Sequence, residues 1–214
     1  MELVKALEER KSCRAFRPES PNRETLVAVL QAAARAPSAV NLQPWRVWVG
    51  QGEELDRLKR SLLRAYREQN IGCSPGGGRK APPEAEWGPG SFRDLGQVVE
   101  ARGEDFGTFI NEGSCNLYGA PVGIFCFTEP GEPAARRLDC GIWLAYLLLG
   151  AHAQGLGSCP VGLLAAYEDV VKDVLFVPEE YHFACAVALG YPSVDDPVNT
   201  FDCPRKGIDG VEWV

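Results

Sequence analysis

The chain has 214 residues, of which 45% are hydrophobic and 24% are charged, and this is the composition of an ordinary folded globular protein. Its 29 acidic and 22 basic side chains give a formal net charge of −7, which argues against bulk nucleic-acid binding because that function needs clustered positive charge. Disorder, collagen and repeat arrays are excluded as descriptions of the whole chain, and the length predicts a single domain spanning residues 1–214.

The hydropathy pattern predicts neither a secretory signal nor a membrane span. The first ten residues contain three glutamates and no apolar run. The longest stretch without charge or histidine, residues 140–151, is shorter than the roughly 20 residues that a membrane helix needs. Eight cysteines, none spaced as Cys-x-x-Cys, favour free buried thiols over a metal site or a disulfide framework. We therefore expect a cytoplasmic protein with no membrane partner.

The apolar spacing predicts five helices and three strands. In chain order they are helix 2–9, helix 22–36, strand 46–49, helix 55–69, strand 122–127, helix 136–154, helix 167–175 and strand 183–189. Helix 136–154 is apolar nearly all round, which predicts a central position. Few strands, mixed irregularly with helices, indicate the α+β class.

Two segments are predicted to lack regular structure. Residues 72–90 are rich in proline and glycine without apolar periodicity, so we expect a loop there. Such a loop is a lid, a binding loop, a disordered segment or a tolerated surface insertion, and the sequence leaves these alternatives open. The tail, residues 192–214, contains three prolines and is predicted to be extended rather than helical.

Residues 10–14 (RKSCR) place three cations and a hydroxyl within five positions. Arginine forks and a serine hydroxyl fit a phosphate monoester dianion, at ~1.5–3 kcal/mol per charge-assisted hydrogen bond. The alternative is a solvated surface patch. Arg205 and Lys206 repeat the same chemistry in the tail.

Residues 36–45 (APSAVNLQPW) combine two prolines with short polar side chains. The amides of Asn41 and Gln43 offer donors and acceptors together, which suits a heterocycle edge that carries both. The alternative is a turn that ends one helix and leads into a strand. No nucleophile elbow, Walker loop or His-Glu-x-x-His pattern is present, so hydrolase and nucleotide-triphosphatase chemistry find no support.

In this order and spacing, the segments resemble the FMN-dependent nitroreductase family. Residues 10–16 (RKSCRAF) and 36–45 carry the first part of the resemblance. Residues 155–160 (GLGSCP), 188–192 (ALGYP) and 205–209 (RKGID) are similar to the family's second flavin-contacting turn, last strand and C-terminal arm. The resemblance covers almost all of the chain except roughly residues 72–105, and residues 166–171 (AYEDVV) bring it closest to the nitrobenzoate and nitroaromatic reductases.

The resemblance implies a nitroreductase-like α+β fold with a central mixed or antiparallel sheet flanked by helices. It implies an intertwined homodimer with two FMN molecules at the subunit interface, and residues 143–149 as the core of that dimer. It further implies a variable loop or lid at about 71–105 and an extended arm at about 192–214.

The resemblance also assigns site residues by position. Arg10, Ser12 and Arg14 would hold the FMN phosphate, with Lys11 nearby and Arg205 closing from the C-terminal arm. The implied contacts to the isoalloxazine and ribityl parts are Pro37, Ser38, Ala39, Asn41 (or the partner subunit's Asn41) and Gln43, together with Pro160, Val161, Gly162 and Leu163, where an N–H of Gly162 or Leu163 faces N5. No catalytic side chain and no metal ligand is implied.

The implied activity is a ping-pong oxidoreduction. NADH or NADPH gives a hydride to FMN, which passes electrons to a nitroaromatic, a quinone or a similar small-molecule acceptor. The same scaffold leaves other uses open: reductive dehalogenation, flavin fragmentation, substrate dehydrogenation, or a non-enzymatic flavin-binding redox sensor whose thiols respond to oxidation.

Overall fold

The computed structural model of the chain describes residues 2–72, 92–130, 133–201, 203, 205, 207 and 211–213. These residues form eight α-helices and four strands. The helices are α1 Leu3–Glu9, α2 Arg23–Ala33, α3 Gly52–Gln69, α4 Phe92–Ala101, α5 Phe106–Cys115, α6 Pro133–Ala153, α7 Glu168–Leu175 and α8 Pro197–Thr200. The strands are β1 Trp45–Gln51, β2 Val122–Thr128, β3 Gly157–Val161 and β4 His182–Gly190, and short 3-10 helices cover Ala39–Asn41, Leu117–Gly119 and Leu163–Tyr167.

The four strands form one antiparallel sheet in the order β1-β2-β4-β3. All seven residues of the central strand β2 are buried, as expected where helices cover both faces of a sheet. Because alternate side chains of a strand point to opposite faces, Phe125 and Phe127 enter one core while Ile124 and Cys126 enter the other. The sheet therefore separates two hydrophobic cores, one on each face.

Each core is closed by its own layer of helices. On one face, α3 contributes Leu55, Leu58 and Leu62, with α5 and α7 beside it. On the other face, α2 packs on α6, and Trp143 of α6 stacks on Trp45 of β1 with ring centroids 6.4 Å apart. The central position predicted for the helix at 136–154 is thereby confirmed.

The outward face of α6 differs from the one expected for a dimer core. Trp143 and Leu147 are 2% and 0% exposed within the single chain, so they belong to its own core. The exposed apolar residues of the helix are instead Leu138, at 68%, and Tyr146, at 40%. The expectation that residues 143–149 form the dimer core is wrong for the residues of this segment that point inward. Helical periodicity places only some of its side chains on the outward face of the helix.

All eight predicted helices and strands are present within three residues of their expected bounds. Helix α4 was not predicted, and it places regular structure inside the segment 71–105 that was expected to be variable. Residues 73–91, which hold most of the predicted loop, lie outside the described residues. The tail is not wholly extended, since Asp196 accepts a hydrogen bond from the Val198 amide and starts the short helix α8. None of the helices in the described residues is long and apolar enough to cross a membrane.

Candidate functional site

The segment that carries the two arginines and the serine is held in an extended conformation after α1 ends. Ser12 forms a parallel bridge with Ser158 of β3, and the Cys13 amide donates to the Ser158 carbonyl at 2.9 Å. Because successive side chains of an extended segment point to opposite sides, Arg10, Ser12 and Arg14 share one side. The structure thus brings together the three side chains that the sequence singled out.

Two arginines from distant parts of the chain approach each other at this site. Arg10 is half-buried, and burial lowers the pKa of its guanidinium, with a further lowering from the nearby positive charge of Arg205. Within the described residues, neither of them nor Arg14 forms an ion pair with a carboxylate. Cations held close without a counter-charge are suited to an anion with several acceptor oxygens. Lys11 is exposed and follows on the other side of the segment, and Lys206 lies outside the described residues.

Arg14 contains a polar atom that lacks a partner. Its Nε is buried and has no hydrogen-bond partner, although its backbone amide donates to Oδ1 of Asn199 at 2.8 Å. Its guanidinium carbon lies 5.9 Å from the ring centroid of Tyr118. A buried polar group without a partner is destabilising, so it calls for a ligand acceptor at this place. The donor set and the orphaned Nε both fit a phosphate.

Asn199 and Cys159 complete this site, and neither was singled out from the sequence. Asn199 is 6% exposed, and its Nδ2 donates to the carbonyls of Ala15 and Ser193 at 2.7 and 2.9 Å. Burial raises the pKa of the Cys159 thiol, while the charge of Arg14 and a hydrogen bond with Ser12 lower it. The cap pattern from Asp196 onward was the one sequence signal for the local turn that positions Asn199.

The second predicted site segment forms a strained, exposed turn. The Ala39 amide lies 3.3 and 3.4 Å from the two carboxylate oxygens of Asp139, and the Gln43 amide donates to Ser38 Oγ at 2.9 Å. Val40, Asn41 and Gln43 have φ of 46°, 58° and 50°, which is costly for side chains other than glycine.

The amides of this turn contact each other, since Gln43 Nε2 lies 3.2 Å from Asn41 Oδ1. The side chain of Val40 is 95% exposed, and Pro37 and Ala39 are exposed as well. The structure confirms that the segment follows a helix and leads into a strand. The Asp139 carboxylate contacts the backbone of this turn at Ala39.

The third predicted segment runs from the end of β3 into a 3-10 helix. Val161 and Leu163 point into the core, so their backbone rather than their side chains faces outward. Gly162 occupies the N-cap of the 3-10 helix, where amides have no acceptor within the helix, and a Cβ added there would meet no atom within 4 Å. Pro160 lies within β3, so this part of the expected flavin-contacting turn is a strand. It is tolerated because β3 is an edge strand.

The first and second segments lie at opposite ends of α6 in one chain. At one end, His152 Nε2 is 3.8 Å from Glu9, next to the arginine segment. At the other end, Asp139 holds Ala39. The thirteen helical steps from Asp139 to His152 span about 20 Å along the helix axis. A single chain therefore assembles the cationic cluster but keeps the polar turn apart from it.

Across the residues that the structure describes, no group of three or more histidine, cysteine or acidic side chains is arranged to hold a metal ion. Six cysteines in the described part of the chain are free thiols: Cys13, Cys115, Cys126, Cys140, Cys159 and Cys185. The three segments provide a cationic cluster, an open stretch of backbone and a polar turn, and these groups are chemically suited to a phosphate and to the edge of a planar heterocycle.

Comparison with known proteins identifies the family of the chain. Nitroreductase NfnB of Mycolicibacterium smegmatis is 31% identical, covering 93% of this chain and 86% of that protein. The 4-nitrobenzoate reductase of Pseudomonas putida is 30% identical, covering 94% of this chain and 90% of that protein. The crystal structure of the FMN-dependent nitroreductase NfnB from Mycobacterium smegmatis in complex with NADPH matches with a TM-score of 0.80 at 31% identity, over 100% of this chain and 99% of that chain. The sequence model of the nitroreductase family matches residues 7–191, and the chain therefore belongs to the nitroreductase family.

Proposed function

We propose that this protein is an FMN-dependent oxidoreductase that takes a hydride from NADH or NADPH and reduces nitroaromatics, quinones or similar small acceptors. The observation that carries the proposal is the cluster of Arg10, Arg14 and Arg205, which has no carboxylate partner within the described residues and contains a buried Nε without a partner. The relatives support it, since they are a nitroreductase and a 4-nitrobenzoate reductase. FMN, when bound, supplies the two-electron chemistry.

In this proposal the arginine segment holds the phosphate of FMN. Arg10, Ser12 and Arg14 bind it from one side of the segment, and Arg205 closes on it from the C-terminal arm. Lys11 adds positive charge nearby. The partial burial of Arg10 strengthens its attraction to an anion, because buried charges are screened less than exposed ones. The positive charges of these four side chains, Arg10, Lys11, Arg14 and Arg205, also stabilise negative charge on the bound cofactor.

The other two segments orient the ring system in the same proposal. The outward-facing backbone at Pro160, Val161, Gly162 and Leu163 lies along the isoalloxazine, with an amide of Gly162 or Leu163 directed at N5. The strained turn presents Pro37, Ser38, Ala39, Asn41 and Gln43 to the polar edge of the ring and to the ribityl chain. Its rigidity, maintained by Asp139, limits the entropy lost on binding.

The proposal includes a homodimer. Within one chain the polar turn lies at the Asp139 end of α6 and the cationic cluster at its His152 end, about 20 Å away along the helix axis, and this supports a second copy supplying one of them to each cofactor. Several apolar side chains are also exposed to water, which is energetically unfavourable: Leu3 is 67% exposed, Val4 65%, Leu7 58% and Leu138 68%. A second copy of this chain covers α1 and the outer side of α6 in this arrangement.

We further propose a single domain, because both cores share the strand β2. We also propose that the protein works in the cytoplasm, since the six buried or half-buried cysteines of the described residues are free thiols, as expected in a reducing compartment.

The test is an absorbance spectrum of the purified protein, followed by anaerobic addition of NADH and then of NADPH. We expect the bands of oxidised flavin, and we expect at least one nucleotide to bleach them. Absence of flavin bands after FMN is supplied would contradict the cofactor assignment. A bound flavin that neither nucleotide bleaches would contradict the nucleotide-dependent reaction but leave FMN binding standing.

A further inference from the structure

We propose that Tyr118 is a positioning residue that holds the Arg14 guanidinium in place for the phosphate of FMN, an inference that rests on the proposed function. The Arg14 guanidinium carbon lies 5.9 Å from the centroid of the Tyr118 ring, within the range of a cation–π contact. The part of the chain that the structure describes offers Arg14 no carboxylate for an ion pair. Tyr118 thus contacts this guanidinium through its ring face, and its phenol oxygen interacts with Arg14 as well.

A neutral ring suits this task better than an acidic side chain. Burial raises the pKa of the Tyr118 phenol to about 12, although the charge of Arg14 and a hydrogen bond with its side chain act in the opposite direction. The phenol is therefore uncharged at physiological pH. A carboxylate would also order Arg14, but it would neutralise the guanidinium and compete with the phosphate. Tyr118 positions the cation and leaves its charge and most of its five N–H donors for the ligand.

The ring itself is held by a strained backbone. Leu117, Tyr118 and Gly119 are three consecutive residues with positive φ, of 50°, 52° and 76°. Two of them are not glycine, and such conformations persist only where the surroundings enforce them. Strain of this kind is characteristic of residues that must present a side chain in one direction.

Three contacts enforce the conformation. Lys59, which is 8% exposed, donates from Nζ to the Ala120 carbonyl at 2.7 Å and so anchors the end of the turn. The hydroxyl of Ser114 lies 3.2 Å from the Tyr118 hydroxyl. A Cβ added at Gly113 would lie 2.8 Å from the ring, so the ring packs directly on the backbone of α5. The turn therefore has a fixed anchor, and the ring has one orientation.

Phe109 provides the matched control. Its ring lies 5.6 Å from that of Tyr118, so it belongs to the same aromatic contact, but no cation–π contact joins it to Arg14. A substitution at Phe109 disturbs the local packing without removing the surface that faces the guanidinium. The two positions thus separate a packing effect from an effect on Arg14.

The experiment uses the full chain, stripped of flavin and titrated separately with FMN and with riboflavin, which lacks the phosphate. We expect Tyr118→Leu to weaken FMN binding about tenfold and to leave riboflavin binding within about twofold. Tyr118→Phe, which keeps the ring but lacks the hydroxyl, retains most of the FMN affinity that Tyr118→Leu loses, and Phe109→Leu leaves both affinities near wild type. Tyr118→Met is a second variant without a ring, so a folding failure of one variant leaves the other to decide.

Arg14→Ala shows whether Tyr118 acts through Arg14. We expect Tyr118→Leu to add no further loss of FMN affinity in the Arg14→Ala background, because the contact is already gone. Equal losses for FMN and riboflavin, an equal effect of Phe109→Leu, or additive losses in the double variant would each overturn the inference. If the Arg14→Ala protein binds FMN as tightly as the wild type, this inference is also overturned, but the proposed FMN-dependent function still stands. A wild-type protein that binds no FMN refutes the proposed function itself.

Discussion

Asn199 is the residue whose loss most directly tests how the arginine segment is built. Its side chain makes three hydrogen bonds, to the Arg14 amide and to the carbonyls of Ala15 and Ser193, and it is 6% exposed. A neutral hydrogen bond contributes a net 0.5–1.5 kcal/mol or so, so Asn199→Ala should lower the free energy of unfolding by about 2–4 kcal/mol. For a chain of this length, that loss lowers Tm by roughly 5–12 °C.

The assay is thermal unfolding of the flavin-free protein followed by circular dichroism, with urea unfolding as a second measure. Asn22→Ala is the matched control, because Asn22 also accepts a backbone hydrogen bond, from the Thr25 amide at 2.8 Å, but at an exposed helix start. Loss of that cap lowers the stability by about 1 kcal/mol. A destabilisation by Asn199→Ala no larger than that of Asn22→Ala would refute the reasoning, since the three buried bonds would then be worth no more than one exposed bond.

Three further outcomes follow from the site. Asn41→Ala should lower flavin occupancy or shift the flavin reduction potential, and an unchanged spectrum and potential would remove Asn41 from the site. Arg205→Ala should weaken FMN binding about tenfold in fluorescence titrations, yet leave the Tm of the flavin-free protein unchanged or slightly higher, because it relieves the repulsion with Arg10; a lower flavin-free Tm would contradict this. Burial raises the pKa of Cys13 to about 11 and that of Cys115 to about 12, so at pH 8 their thiolate fractions are about 0.1% or less. Iodoacetamide and peptide mapping should therefore find both unmodified in the folded protein, and rapid labelling of either would contradict their burial.

The elements that periodicity predicted are those with one apolar stripe or one uninterrupted apolar run. Helix α2 is an example, since Leu26, Val29 and Ala33 recur at helical spacing and all three are buried. Strand β3 was not predicted, because it is five residues long and contains Pro160, which is acceptable only at the edge of a sheet. Helix α5 was not predicted, because glycines interrupt its sequence pattern. One of them, Gly113, is needed because a Cβ at this position would clash with the Tyr118 ring.

The features of the site likewise fall into two groups: those set by neighbouring residues and those that depend on residues far apart in the chain. The shared side of Arg10, Ser12 and Arg14 follows from the alternation of an extended segment, so the sequence alone could predict it. The hydrogen bond from Arg14 to Asn199 spans 185 positions, and the one from Ala39 to Asp139 spans 100. Neither pair leaves a pattern in a single sequence, because the contact exists only once the sheet and α6 have brought the segments together.

The separation of the two half-sites along α6 makes a quantitative prediction about assembly. If each FMN contacts the cationic cluster of one copy and the polar turn of another, then FMN binds the dimer more tightly than the monomer, and by linkage it must strengthen the dimer. At a free FMN concentration of 100 times its Kd, the stabilisation is about 2.7 kcal/mol per site, which lowers the dimer dissociation constant about a hundredfold for each site filled.

Sedimentation velocity of the flavin-free and FMN-loaded protein, over a dilution series, measures that shift directly. The Arg14→Ala protein is the control, because it keeps the surface of α6 and the exposed apolar residues of α1 but loses a proposed phosphate contact. Its dimer should respond far less to the same FMN concentration. Equal FMN affinity of monomer and dimer would mean that one chain completes the site alone. The polar turn at residues 37–43 would then have no part in binding the cofactor together with a partner's cationic cluster, since the two segments lie at ends of α6 about 20 Å apart along its axis.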